Sequence, residues 1–206
     1  MAVIIGKNLF PADSSTAALI NTFAIFAAGY IVRPFGVLVF GRLGDLIGRK
    51  YTFLLTLIIM GCSTFLIGSI PSFENIGYWA PILALSLRLL QGLALGGEYG
   101  GAAIFVAEHA PKNRRGYYTS WIQTASTLGL FLSMGVIIIV KNTMPENQFN
   151  VWGWRIPFWL SALLVMMSIY IRFKMKESPL YLKIKAENKT SKNPLKDSFS
   201  NKENFK

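Results

Sequence analysis

Five stretches of the chain, roughly residues 17 to 40, 51 to 70, 80 to 107, 117 to 140 and 156 to 173, are apolar for about the 20 residues that a helix needs to cross a hydrocarbon layer. Inside lipid a backbone must satisfy its own N–H and C=O groups, and a single segment of this length does so only as an α-helix. The expected fold class is therefore an all-α integral membrane protein with a five-helix transmembrane domain over residues 17–173. A soluble domain is excluded by the same residues, since 52% of the 206 are hydrophobic and only 15% are charged. Met1 to Phe10 is apolar over about half the required length and reads as the tail end of a helix whose beginning is absent.

Lysine and arginine orient such a chain, because short cytoplasmic connections carry them in excess. Arg42, Arg49 and Lys50 follow the first span, Lys112, Arg114 and Arg115 follow the third, and ten more cations lie from Arg172 to Lys206. These regions alternate so as to share one side of the cell (inner) membrane, the cytoplasmic side. The opposite connections hold Lys141 alone and the N-terminal segment holds Lys7 alone, which puts residues 1–16 outside as a short external segment. The net charge of +11 thus belongs to loops and tail rather than to a basic face, and no nucleic-acid partner is expected. Residues 174–206 are rich in Lys, Asn, Ser and Glu, too polar to fold alone, and are expected to form a disordered cytoplasmic basic tail. Within that tail, Ser178 to Glu187 could instead lie on anionic lipid as a short amphipathic helix.

Arg33, Arg88 and Glu98 are the charges inside the spans, and a charge at that depth is costly unless it faces a partner or a watery cavity. Arg33 precedes Pro34, which should free a backbone carbonyl and place an irregular turn beside the guanidinium. Glu98 lies about ten residues from the end of its span and so near the midplane. On a helix Arg88, Gln91, Leu95 and Glu98 share a strip about 80° wide, so they are expected to look together into a polar cavity. Glu98, Arg33, Arg88 and Gln91 are the candidate proton and substrate pathway; the competing reading pairs Arg33 or Arg88 with Glu98 to hold the bundle. Gly92, Gly96 and Gly100, with Gly97 and Gly101, offer small surfaces at which helices can approach closely. Ser120, Gln123, Thr124, Ser126 and Thr127 either line a pathway or bond between helices, and Trp121, Trp152, Trp154 and Trp159 are expected at the membrane interfaces. Cys62 and His109 each lack a companion ligand, so no metal is expected. No phosphate-wrapping glycine loop is present, and neither a cofactor nor an enzyme activity is expected.

The run Gly41-Arg42-Leu43-Gly44-Asp45-Leu46-Ile47-Gly48-Arg49-Lys50 puts three glycines, one carboxylate and three cations between two spans and reads as a tight charged hairpin. It resembles the signature between the second and third helices of the major facilitator superfamily. Arg33-Pro34-Phe35-Gly36, Gln91-Gly92 with Gly96-Gly97-Glu98-Tyr99, Phe105-Val106-Ala107-Glu108, Gly153-Trp154-Arg155-Ile156-Pro157-Phe158 and Glu177-Ser178-Pro179 are similar to one branch, the metabolite:proton symporters, and within it to the proline/glycine-betaine carriers. The resemblance runs from about Gly6 to Pro179. It implies a fold of twelve helices in two halves, with solute and proton sites between them. This chain then corresponds to the second to sixth helices, a partial N-terminal six-helix half with the first helix nearly absent. For Gly41, Asp45, Gly48, Arg49 and Lys50 the resemblance implies a conformational switch, Asp45 meeting the opposite half in one of two access states. The fourth span lacks the Gly-Pro pair of the superfamily's drug antiporters, which favours symport.

The function expected on this resemblance is that of a truncated proton-coupled secondary transporter of small osmolytes or organic acids. Its partners are the solute, the proton, the lipid bilayer and a separate chain supplying the missing helices. The alternative is a non-transporting, membrane-inserted remnant of a split or degraded transporter gene. The orientation is open to test in a Cys62→Ser background. Ser72→Cys should react with an impermeant maleimide in intact cells and Lys192→Cys only after permeabilisation; the reverse pattern would invert the topology.

Overall fold

The computed structural model describes residues 2–11 and 15–174, and every element among them is helical. A short helix, α1 (Ala2–Leu9), precedes α2 (Ser15–Ile47), α3 (Arg49–Ser69), α4 (Phe73–Ile76), α5 (Trp79–His109), α6 (Arg115–Thr143), α7 (Glu146–Val151) and α8 (Ile156–Lys174). Among the described residues, five helices are long and apolar enough to cross a membrane, at the five places expected. They overrun the expected ends because a helix continues past the hydrocarbon until something stops it. For three of them the stop is a proline. Ile70, Ala110 and Met144 each precede one and each is extended, with ψ of 126°, 145° and 146°, since the proline ring excludes the helical conformation from the residue before it.

Two local details go beyond the expectations. The charged run makes the tight reversal expected of it but is not irregular between the expected span ends: α2 stays helical through Ile47 and α3 begins at Arg49, so the chain reverses at Gly48 alone. Its φ of 103° is open to glycine and strained for any other residue, which is why so short a reversal is possible here. Nor does Pro34 break α2, which runs through it unbroken. A proline removes one helical donor, to the carbonyl four residues earlier, and the long apolar segment on either side keeps the helix continuous. Lys174, the first residue of the expected tail, closes α8, and the rest of that tail, with Ser178 to Glu187, lies outside the described residues.

Glycine sets the packing. On α5, an added Cβ at Gly92 or Gly96 would run into the backbone of Gly29 or Arg33 on α2, and one at Gly36 would run into the backbone of Leu93. Here α2 and α5 touch main chain to main chain, which is the use expected of the small residues on α5. Gly97 admits the Phe40 side chain and Gly101 the Phe53 ring, whereas Gly100 has nothing within 4 Å of its would-be Cβ. On α3, Gly61 and Gly68 admit Val165 and Phe158 of α8 in the same way.

The apolar core gathers at the end of the bundle that carries α1, α4 and α7. Leu9 and Trp154 are fully buried, with Ile5, Phe10, Ile67, Ile70 and Phe149 around them. Trp154 therefore departs from its expected interface position. The 3-10 turn Gly153–Arg155 folds the ring inward, and Arg155 reaches from that turn to donate to the Ile70 carbonyl at 3.0 Å. Trp121, Trp152 and Trp159 remain on the surface. Neither α6 nor α8 buries a residue.

If main-chain contact joins α2 to α5, Gly92→Ala and Gly96→Ala should each cost about 1–3 kcal/mol of stability by overpacking. Gly100→Ala should be near neutral. Thermal unfolding of the three variants in detergent measures the difference, and equal effects at all three positions would contradict the close approach.

Candidate functional site

Between α2, α3 and α5 lies a cavity of about 250 Å³ lined by Phe26, Gly29, Tyr30, Arg33, Met60, Thr64, Arg88, Gln91, Gly92 and Leu95. Its polar wall is built as a chain of hydrogen bonds. Thr64 Oγ1 donates to the Met60 carbonyl at 2.7 Å, Gln91 Nε2 donates to Thr64 Oγ1 at 2.6 Å, and Arg88 Nη1 donates to Gln91 Oε1 at 2.9 Å. Each step fixes the next, so the Gln91 amide can point only one way and Arg88 is held by it. The Arg88 guanidinium also lies 3.9 Å from the centre of the Phe26 ring. A cation is stabilised by such a ring face when water is scarce.

Arg33 is held less completely. Its guanidinium lies 3.9 Å from the centre of the Tyr30 ring, yet its Nε is buried and has no hydrogen-bond partner. A buried donor on a charged group, left unpaired, costs free energy that an incoming acceptor would recover. Two arginines, one held by a hydrogen bond to Gln91 and one with an unpaired buried donor, thus face one cavity. The close α2–α5 contact is what brings them together, since Gly29 packs on Arg88 and Gly96 on Arg33 through the backbone.

A second group of charges lies toward the end that carries Gly48. Arg49 Nη1 pairs with Glu108 Oε1 at 2.5 Å, joining α3 to the last turn of α5. Arg172 Nη2 pairs with Glu98 Oε1 at 2.6 Å and stacks over the Phe53 ring, joining α8 to α5. Lys50 Nζ donates to the Phe173 carbonyl at 2.9 Å, satisfying one of the last acceptors of α8. Asp45 lines a smaller recess of about 140 Å³ with Arg49, Gly41, Gly44 and the glycines of α5.

With this geometry in view, comparison with known proteins decides the family. A family model described as "Sugar (and other) transporter" matches residues 5–206. The chain belongs to this family of major facilitator transporters. It is 44% identical over 177 residues to the shikimate transporter of Escherichia coli, covering 86% of this chain and 40% of that protein. It is 41% identical over 181 residues to the proline/betaine transporter of Salmonella typhimurium, covering 88% and 36%. The chain thus spans well under half the length of the curated relatives it matches. Among solved structures, the xylose transporter XylE from Escherichia coli, in a partially occluded inward-open conformation, superposes with a TM-score of 0.78 at 19% identity, over 96% of this chain and 49% of that one. At that identity the likeness speaks for the fold, an N-terminal part of the major facilitator architecture.

Within this major facilitator bundle the sequence candidates divide. Arg33, Arg88 and Gln91 line one cavity. Glu98 does not join them, and its partner is neither Arg33 nor Arg88 but Arg172. Of the expected strip on α5, Arg88, Gln91 and Leu95 line the cavity, whereas Glu98 meets Arg172, which lies over the Phe53 ring. Arg172 had counted as one more basic residue of the tail, and nothing local in the sequence marks its reach back into the bundle. Thr64, Phe26 and Tyr30 were hidden in apolar runs. The hydroxyls of Ser120, Thr124 and Thr127 neither face the cavity nor bridge helices; they bond to carbonyls of α6 itself.

The ion pair between α5 and α8 gives a testable coupling. Glu98→Gln and Arg172→Gln should each destabilise the bundle, while the double variant should recover part of the loss, with a coupling of about 1–2 kcal/mol in a double-mutant cycle. Strict additivity would mean that the pair contributes nothing to joining these helices.

Proposed function

We propose that this chain supplies the N-terminal half of a proton-coupled secondary carrier for a small carboxylate-bearing solute, an osmolyte or an organic acid. The observation that carries the proposal is the cavity between α2 and α5, where the unpaired Nε of Arg33 lies near the fixed guanidinium of Arg88. A guanidinium matches a carboxylate in geometry and charge, and two of them favour an anionic group over a neutral sugar. Shikimate, proline and betaine, named for the relatives, have a carboxylate in common. On this reading Arg88 is the prepositioned contact and Arg33 the one that gains its missing acceptor when solute arrives.

Glu98 takes the proton. It is a carboxylate within a span, tied to α8 by one arginine, with its second oxygen buried and unpartnered. Protonation would release Arg172 and free α8 to move relative to α5, linking proton uptake to a change of access. Asp45, Arg49 and the Gly48 reversal act at the same end as the switch between access states. The N-terminal segment, residues 1–16, lies outside and the tail, residues 174–206, lies in the cytoplasm beneath the inner membrane. A companion polypeptide or segment supplies the second wall of the pathway.

The chain in lipid nanodiscs should bind radiolabelled shikimate, proline or betaine in a scintillation proximity assay. Arg33→Gln should weaken binding by roughly tenfold or more, as loss of a charge-assisted bond of about 1.5–3 kcal/mol requires, with Arg33→Lys intermediate. Glu98→Gln should keep binding and remove its dependence on pH. Failure of the wild-type chain to bind any of the three would reject a solute site built from this chain's own arginines, and failure that persists with the second wall supplied would leave a membrane-inserted bundle that moves nothing.

A further inference from the structure

Outside the cavity and the ion pairs, one more recess collects charge. At the end that carries α1 and α7, a cavity of about 410 Å³ is lined by Val3, Ile4, Lys7, Asn8, Lys141, Glu146, Phe149 and Asn150. Lys7 lies in the last turn of α1 and Lys141 in the last turn of α6, far apart in sequence. The segments assigned to the outside, residues 1–16, 71–79 and 141–154, contain these two lysines and no other Lys or Arg. Both therefore arrive at one place.

The walls are fixed. Leu9 and Phe149 are buried in the core beneath the recess, and Asn8 Nδ2 donates both to the Ile4 carbonyl of its own helix at 2.9 Å and to the Asn150 carbonyl of α7 at 3.1 Å. With its amide protons so used, Asn8 tethers α1 to α7, and the lysines are left as the cationic donors to anything that enters. Glu146 offsets one of the two charges, so the recess carries a net charge of one positive unit and suits a singly charged anion.

Each lysine at a helix C-terminus complements the local dipole. That accounts for either one, but not for both lining one recess with Glu146 offsetting a single charge. A bound anion would neutralise the positive charge that remains. We propose that Lys7 and Lys141 form an outer capture site for small monocarboxylates, separate from the Arg33 and Arg88 cavity, which raises the local concentration of anionic solute at the mouth of the pathway. The assignment of this mouth to the outside and the choice of carboxylate rest on the function proposed above. The lysine cluster itself does not.

The test uses the full chain in nanodiscs with its lysines reductively methylated with 13C, acetate as the probe, and sodium chloride exchanged against sodium acetate at constant ionic strength. The methyl resonances of Lys7 and Lys141, assigned by Lys→Arg variants, should shift with acetate along one shared saturating curve. Lys7→Gln should weaken the response at Lys141 by roughly fivefold, the effect of losing one exposed charge contact of about 1 kcal/mol, whereas Lys7→Arg should preserve it. Arg33→Gln should leave both responses unchanged. That last variant separates the two proposals, because solute binding at the inner cavity can fail while the lysine response persists. Shifts that rise linearly at every lysine, that differ in midpoint between Lys7 and Lys141, or that vanish in Arg33→Gln would overturn the capture site.

Discussion

Main chain against main chain is the contact on which this bundle depends. In lipid there is little hydrophobic gain in bringing two helices together, so association rests on dispersion and on how closely the backbones approach. Glycines at positions 29, 36, 92 and 96 remove the side chains that would hold α2 away from α5. Once they are in register, Arg33 and Arg88 are carried to the same cavity without any direct bond between them. The polar site is a by-product of small residues placed beside it.

The five spans were legible because length and apolarity are local properties of a segment, and lipid leaves a segment of that kind no other fold. The helix ends before Pro71, Pro111 and Pro145 follow from equally local chemistry. Partnership was harder to read. The face of α5 that bears Arg88 and Gln91 could be found from helical spacing, but the residues opposite it belong to α2, α3 and α8, and their register against α5 is set by glycine contacts. Arg172 shows the difficulty most plainly. In sequence it opens a basic tail, and in three dimensions it closes an ion pair with Glu98. Trp154 fails for the same reason, since a single 3-10 turn decides whether an indole faces a membrane surface or a protein core.

The two ends of the bundle are held by different forces. Around α1, α4 and α7 the contacts are apolar and enclosed, with Leu9, Phe149 and Trp154 interlocked. Around Gly48 the helices are joined by Arg49–Glu108, Glu98–Arg172 and the Lys50 contact to α8, each a pairing of charge or dipole. Apolar packing is insensitive to a single proton, whereas charge pairing can be made or broken by one. A change of protonation would therefore be felt at the charged end and not at the other.

Gly48 gives that end a mechanical property. With only one residue between the last helical residue of α2 and the first of α3, there is no spare length to absorb relative sliding. The two helices can change their mutual angle but can scarcely slip along their axes. Any displacement of α3 relative to α2 is thereby restricted to a change of angle about Gly48. A reversal of this kind is a pin and not a tether: it leaves swing as the freedom between two rods and takes slip away.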